Sequence, residues 1–367
     1  MGCKARCAVD SLAIHKRRNA ADRPPGPLPE GLERNRAIER LDCLHGHEPM
    51  WRIRSIHSSR FRSNAIPCEI EKRFLAHAGP GRHLLLNQGV YGPTRIFCDQ
   101  ELVPQGTTVE YFPEGVDIAP YLRDTTSLVY IETPASLTME MLDVRAVCAA
   151  ARQRHIPVAV DATWGTPVFF DAHALGVHIA IHSATKYING HSDLMLGLIT
   201  GSHADLASTR RFCDRSGAHA APDVCWLALR GLRTLAVRLE RHQQTALATA
   251  QWLQEQPQVR RVLFPALPSD PGHALWRAQF SGAAGPFTFE LAPCSEAAFA
   301  AFIDALALFS LGTSWGGYES LVLPAVPYDQ RHLATLPDEG RLVRLHVGLE
   351  DARDLRADLA QALSGLG

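Results

Sequence analysis

The chain has 367 residues, 46% of them hydrophobic and 20% charged, which is enough to bury a large core and too apolar for a disordered tail. Its 37 basic residues nearly cancel its 38 acidic ones, which excludes a globally basic nucleic-acid binder, and no 18-residue apolar run is present to span a bilayer. The near-neutral total hides two unlike pieces, because residues 1–82 carry a formal charge of +7 and residues 83–367 carry −8.

Residues 1–82 contain a Pro/Gly-rich patch, Pro24-Pro25-Gly26-Pro27-Leu28-Pro29, an Arg-rich stretch from Trp51 to Arg62, and no tyrosine. They read as loop or poorly packed structure, with at best short helices near 30–42 and 68–77. From His83 onward, short apolar runs alternate with helical patterns. His83-Leu84-Leu85-Leu86, Ser127-Leu128-Val129-Tyr130-Ile131, Pro157-Val158-Ala159-Val160 and Ile179-Ala180-Ile181 read as buried strands of a parallel sheet. Between the second and third, Val144–Arg154 places Val144, Val147, Cys148 and Ala151 on one helical face. Strand, helix and strand at this spacing form a βαβ unit, so the fold class is α/β with a mostly parallel sheet.

Beyond residue 205 the pattern is more helical. Asp223 is expected to cap a helix running through Trp226 and Leu229 to Leu235, Leu239 and the 246–254 stretch, stopping before Pro257. A strand at Phe287–Leu291, a helix at Ser295–Leu308, a strand at Leu342–Val347 and a helix at Asp351–Leu363 complete a smaller α+β unit. The expected organisation is an atypical segment 1–82, an α/β domain 83–233 and a C-terminal domain 234–367, joined by a long helix near 223–254.

The nine cysteines form no CxxC pair and are odd in number, which suits free thiols in a reducing compartment, and no zinc-type spacing or other metal signature occurs. Gly2 matches a myristoylation signal, but Arg6 stands where Ser or Thr is required and no apolar signal region follows. A cytoplasmic location is therefore expected.

Lysine usage marks the chemistry. Against 33 arginines there are four lysines, Lys4, Lys16, Lys72 and Lys186, so one lysine serves all of the chain after residue 72. Only an amine can lose its proton near neutrality and form a Schiff base, which makes Lys186 a candidate nucleophile as well as an ordinary surface residue. Asp161 ends the apolar strand Val158-Ala159-Val160, and Ser183 and Thr185 precede Lys186 just after another strand. Ligands of open α/β sheets bind at such strand ends. A carboxylate, a lone lysine and two hydroxyls converging there suit pyridoxal phosphate (PLP): the amine forms the Schiff base, the carboxylate pairs with the pyridinium nitrogen, and the hydroxyls hold phosphate. A helix cap or ion pair is the alternative for Asp161. Ser183-Ala184-Thr185-Lys186 also spells the S-x-x-K motif of penicillin-recognising hydrolases, but the K-T-G element such enzymes need is absent.

Asp161 through Trp164, Ser183 through Tyr187 continuing to Gly190-His191-Ser192-Asp193, Gly231-Leu232-Arg233-Thr234-Leu235, and Ser314-Trp315-Gly316-Gly317-Tyr318-Glu319-Ser320-Leu321 together resemble the Cys/Met-metabolism (trans-sulfuration) family of PLP-dependent enzymes. The resemblance runs from about His83 to the C-terminus. It implies the PLP-dependent transferase-like fold of aspartate aminotransferase type (fold type I), with Lys186 as the cofactor lysine and acid/base at Cα and Asp161 on the pyridine nitrogen. It implies Tyr91 as the residue stacked on the cofactor ring, Ser183 and Thr185 as phosphate ligands, and Arg344 as the holder of the substrate α-carboxylate, with Ser314 and Trp315 lining the substrate side. On residues alone, Tyr91 and Trp315 also fit core packing. Arg344 alternates within an apolar strand and must bury its fork against a carboxylate, either a ligand's or an internal Asp or Glu.

The implied reaction is α,β-elimination on a small amino-acid substrate, L-cystathionine or another cysteine S-conjugate, releasing a thiol, pyruvate and ammonia. The Trp315-Gly316-Gly317-Tyr318 loop is closer to β-lyases than to γ-lyases or γ-synthases. A homodimer or homotetramer is implied, with neither nucleic acid nor membrane as a partner.

The family pattern has two further phosphate-binding elements, a small-residue loop at a helix N-terminus and a Tyr-x-Arg pair from the neighbouring subunit. Neither is found ahead of His83, where the first tyrosine is Tyr91 and the nearest small-residue run is His77-Ala78-Gly79-Pro80-Gly81. Weakened cofactor affinity is expected, and a catalytically silent core retained for binding or oligomerisation is the alternative.

Overall fold

A computed structural model of the chain describes residues 76–217, 219–325 and 341–366. The short helices expected near 30–42 and 68–77 lie outside these residues, except for positions 76 and 77, which form a turn.

Six strands make the first sheet: β1 (His83–Asn87), β2 (Thr108–Phe112), β3 (Thr126–Glu132), β4 (Val158–Asp161), β5 (Ile179–Ser183) and β6 (Gly197–Gly201), in the order β2-β1-β3-β4-β5-β6. All neighbours are parallel except β6, which runs antiparallel to β5. The apolar runs are continuous because the central strands are buried on both faces. Leu85, Val129, Ile131, Val158 and Val160 pack on one side with Val144, Val147, Cys148 and Ala151, the expected face of helix α2 (Val144–Gln153). Asp143 caps that helix by accepting from the Ala146 amide at 3.0 Å. On the other side, Leu84, Leu86, Leu128, Tyr130, Ile179 and Ile181 meet Phe97 of α1 (Gly92–Phe97) and Cys98 and Leu102 of the turn that follows it.

The long helix expected over 223–254 is two helices, α5 (Pro222–Leu232) and α6 (Leu235–Gln254), broken at Arg233-Thr234; α3 (Thr166–Phe169) and α4 (Ala207–Ser216) precede them. A tertiary contact lies beside the break. Gly231 lies against the Ile188 and Asn189 carbonyls, where any Cβ would overlap them, and the Thr234 hydroxyl turns back to donate to the Gly231 carbonyl at 3.1 Å. The cap also differs: Ala221 occupies the N-cap position with Pro222 next, and Asp223 sits in the first turn.

The second sheet has the order β7-β8-β11-β10-β9, from β7 (Val259–Leu263), β8 (Pro286–Leu291), β9 (Ser310–Leu311), β10 (Leu321–Ala325) and β11 (Arg341–His346). Helix α7 (His273–Gln279) precedes β8; α8 (Glu296–Ala305), capped by Ser295, stops short of the expected Leu308, and α9 (Ala352–Leu363) is capped by Asp351. Trp164, in the loop after β4, donates its indole N–H to the Pro286 carbonyl at 3.0 Å, so the site motif of one sheet is tied directly to the other. No helix among the described residues is long and apolar enough to cross a membrane.

Candidate active site

The first sheet reverses its winding between β1 and β3, since β2 lies on one side of β1 and all later strands lie on the other. Such a reversal opens a crevice beyond the carboxyl ends of the strands. Asn87, Glu132, Asp161 and Ser183 are the last residues of β1, β3, β4 and β5, four adjacent strands, so the sheet itself brings them to one edge. Asn87 bridges the reversal: its amide donates to the Glu132 carbonyl at 3.0 Å and accepts from the Glu132 N–H at 2.9 Å.

Asp161 accepts the Thr163 amide at 2.9 Å, an i to i+2 turn that fixes the carboxylate at the strand end. Burial pushes the Asp161 carboxyl up, opposed by hydrogen bonds from the Thr163 side chain and amide and by the charge of Lys186. Glu132, its register partner on β3, is held well above the carboxylate range by burial and then by Asp161. Glu132 accepts the Tyr91 amide at 2.6 Å, which anchors Tyr91 at the start of α1 with its side chain partly exposed.

Lys186 sits in a tight turn between β5 and β6. Its amide donates to the Ser183 carbonyl, and the turn closes where the Gly190 amide reaches the Lys186 carbonyl at 2.7 Å. Gly190 has φ +73°, and a Cβ there would overlap the guanidinium of Arg238, which is itself buried and donates to the Gly231 carbonyl. Gly190→Ala is therefore expected to lower stability by about 2 kcal/mol or more, read as a reduced urea midpoint at unchanged m.

The Lys186 amine donates to the Ser314 hydroxyl at 2.5 Å and lies 5.3 Å from the centre of the Trp315 ring. Burial lowers it to about 8, the Arg344 guanidinium adds to that lowering, and Asp161 opposes it. Arg344, on β11, is 6% exposed. Its Nη2 donates to the carbonyls of Gly312, Thr313 and Ser314 at 3.1, 3.1 and 2.9 Å, while its Nε is buried with no partner among the described residues. No carboxylate among the described residues pairs with it, so the internal Asp or Glu partner open on sequence grounds is not found there. Tyr91 is near enough to oppose the downward effect of burial on Arg344, which holds it at about 10.

The structure thus gathers Tyr91, Asp161, Lys186, Ser314, Trp315 and Arg344 around one crevice. Ser183 ends β5 there, donating its amide to the Thr163 hydroxyl at 2.8 Å. The Thr185 hydroxyl is engaged with Leu196, accepting its amide at 2.9 Å and donating to its carbonyl at 3.3 Å, which closes the lysine loop. The His77–Gly81 turn lies at the opposite edge, before β1, and both its glycine amides are engaged there: Gly79 donates to the Thr107 hydroxyl and Gly81 to the Gly106 carbonyl. Among the described residues no cluster of His, Cys, Asp or Glu could hold a metal ion.

Thr163, Glu132 and His346 escaped the sequence reading. Thr163 carried a signal, because a hydroxyl residue two positions after a strand-end Asp forms this turn readily. His346 carried one too, standing two residues from Arg344 on the same face of its strand. Glu132 had none, since its role depends on Tyr91, 41 residues away.

The Cys/Met metabolism PLP-dependent enzyme family matches residues 68–364, beginning ahead of the expected start near His83. A cystathionine beta-lyase from Bordetella avium is 41% identical over 292 residues, covering 79% of this chain and 74% of that protein. The cystathionine beta-lyase of Escherichia coli K12 is 39% identical over 308 residues, covering 80% and 77%. The crystal structure of a cystathionine gamma synthase from Xanthomonas oryzae pv. oryzae superposes with a TM-score of 0.76 at 33% identity, covering 81% of this chain and 79% of that one. With its strand-end crevice and lysine loop inside the matched region, the chain belongs to the Cys/Met metabolism family of PLP-dependent enzymes and has their fold type I architecture.

Proposed function

We propose that the chain is a carbon–sulfur lyase that cleaves L-cystathionine or related cysteine S-conjugates by α,β-elimination, with one water consumed, to a thiol, pyruvate and ammonia. The observation that carries this reading is a buried guanidinium with no carboxylate partner among the described residues, facing an amine whose pKa is held near 8.

The crevice fits the family's cofactor on its own terms. Asp161 supplies a fixed carboxylate for a ring nitrogen, Lys186 supplies the amine, Tyr91 supplies an aromatic face, and Ser183 brings a hydroxyl to the same edge. When bound, PLP supplies an electron sink that makes the substrate Cα–H acidic. Arg344 then binds the α-carboxylate and orients the Cα–H toward Lys186. The Lys186 amine removes that proton and, as its conjugate acid, gives it to the sulfur as the Cβ–S bond breaks, so that the thiol leaves neutral. Burial pushes the Asp161 carboxyl up while its Thr163 hydrogen bonds and the charge of Lys186 oppose that rise, and a positive ring nitrogen would favour the carboxylate further. Trp315 and Ser314 cover part of the amine, which strengthens these charge interactions.

The γ-lyase and γ-synthase reactions use the same first proton transfer, so the product decides between them. The test is to incubate the purified chain with L-cystathionine and saturating PLP: pyruvate with homocysteine supports the β-elimination, whereas 2-oxobutyrate with cysteine assigns a γ-lyase. We further infer loose cofactor retention and a homo-oligomeric working form, so the assay is run with and without added PLP.

A further inference from the structure

Ser314, Trp315, Gly316 and Gly317 lie in the loop between β9 and β10, opposite the lysine loop. The contact is intimate: Gly316 has φ +85°, and a Cβ on it would lie 2.9 Å from both the Lys186 Cβ and the Tyr187 amide. Something must therefore hold the Gly316 backbone in place. Its amide donates to the Nε2 of His346 at 3.0 Å, in a fully buried contact. Two residues earlier on the same face of β11, Arg344 takes the carbonyls of residues 312 to 314.

The protonation of His346 follows from its neighbours. The Gly316 N–H points at Nε2 from 3.0 Å and the Gly317 carbonyl lies 3.2 Å from the same nitrogen, while Nδ1 is buried with no partner among the described residues; because the Gly316 N–H can only donate, we assign Nε2 as its acceptor with the ring proton on Nδ1. The adjacent His242 is fixed in the same sense, because its Nδ1 lies 2.7 Å from the Val347 carbonyl and must donate to it. The two rings are 5.4 Å apart, and both pack on Tyr187, the residue after Lys186. Burial keeps both histidines neutral at neutral pH.

We propose that His346 is a positioning residue: by accepting the Gly316 amide it seats the Ser314–Gly317 loop on Lys186 and so keeps the lysine amine part-buried against Ser314 and Trp315. The proposal rests on Lys186 being the reactive amine of the site, but not on the substrate assigned above.

The test is the pH dependence of Lys186 acylation by acetic anhydride, followed by mass spectrometry on the full-length chain freed of PLP. Only the neutral amine reacts, so labelling rises with pH, and in the wild type half-maximal labelling is expected at about 8. In His346→Phe the ring volume is kept but the acceptor is gone. Ser314 and Trp315 then lift away, the amine becomes more exposed to water, and the half-point moves up by roughly one pH unit toward that of an ordinary lysine. In His346→Gln a carbonyl oxygen replaces Nε2, and the wild-type half-point returns. Circular dichroism monitors folding; should the Phe variant not fold, His346→Asn, too short to reach Gly316, carries the same expectation. A depressed half-point in the wild type that is unchanged in the Phe or Asn variant overturns the role of His346 alone. A wild-type half-point at the ordinary lysine value overturns both this proposal and the reading of Lys186.

Discussion

Lys186→Ala is expected to lower pyruvate release from L-cystathionine by roughly 10³-fold or more while the chain stays folded. The size of the effect follows from the absence of a substitute. The other three lysines, Lys4, Lys16 and Lys72, all precede the first strand of the sheet, and nothing else in the crevice combines a neutral amine with contact to Ser314. An amine held at about 8 is neutral in about 9% of molecules at pH 7, some 300 times more often than an unperturbed lysine. That advantage cannot be transferred to Arg344, whose guanidinium stays protonated. The measurement is the initial rate of pyruvate formation with added PLP, together with mass spectrometry after borohydride. Wild type fixes the cofactor on the peptide containing Lys186 and the variant does not. A variant that retains wild-type turnover would sink the assignment, and cofactor fixed on another lysine would move it.

Arg344→Leu is expected to reduce kcat/KM by roughly 10²–10³-fold, the effect of removing one partner from a buried charge pair, about 2–5 kcal/mol. Most of the loss should fall on KM, because the α-carboxylate is held equally before and during proton transfer. Arg344→Lys should recover little of it. A guanidinium offers a planar fork: one nitrogen serves the carbonyls of residues 312 to 314 while its Nε stays unpartnered, and an ammonium has no geometry that does both. The check is a comparison of cystathionine with its α-carboxamide. The amide should be a poor substrate for the wild type, and the preference should largely vanish in the Leu variant. If Arg344→Leu leaves KM untouched, the arginine is a loop anchor only.

Much of the catalytic sheet was legible because its physics is local. A strand buried on both faces must be a short continuous apolar run, so β1, β3, β4 and β5 stood out, as did the apolar face of α2. The less legible strands lacked that signal: β2 is an edge strand with half-exposed residues, β6 begins and ends with glycine, and β10 contains Pro324. The break between α5 and α6 was hidden for a different reason. Leu229, Leu232, Leu235 and Leu239 keep helical spacing across it, and the contact of Gly231 with the Ile188–Asn189 backbone beside the break exists only in the folded chain.

The sequence by itself determined which chemistry was available: one lysine among many arginines, a carboxylate and two hydroxyls at strand ends, and an arginine alternating within an apolar strand. These are properties of residue type and short-range pattern, and they carried the cofactor expectation, while the resemblance of several motifs carried the family; the comparisons bear out both. Only the tertiary structure decided which groups meet. It placed Arg344 and Ser314 against Lys186, engaged the Thr185 hydroxyl with Leu196, set Glu132 under the Tyr91 amide, and put His346 beneath Gly316. The reason is distance along the chain. Side-chain identity is written residue by residue, whereas the depressed amine of Lys186 arises from partners up to 158 positions away, brought together when two separate sheets pack edge to loop.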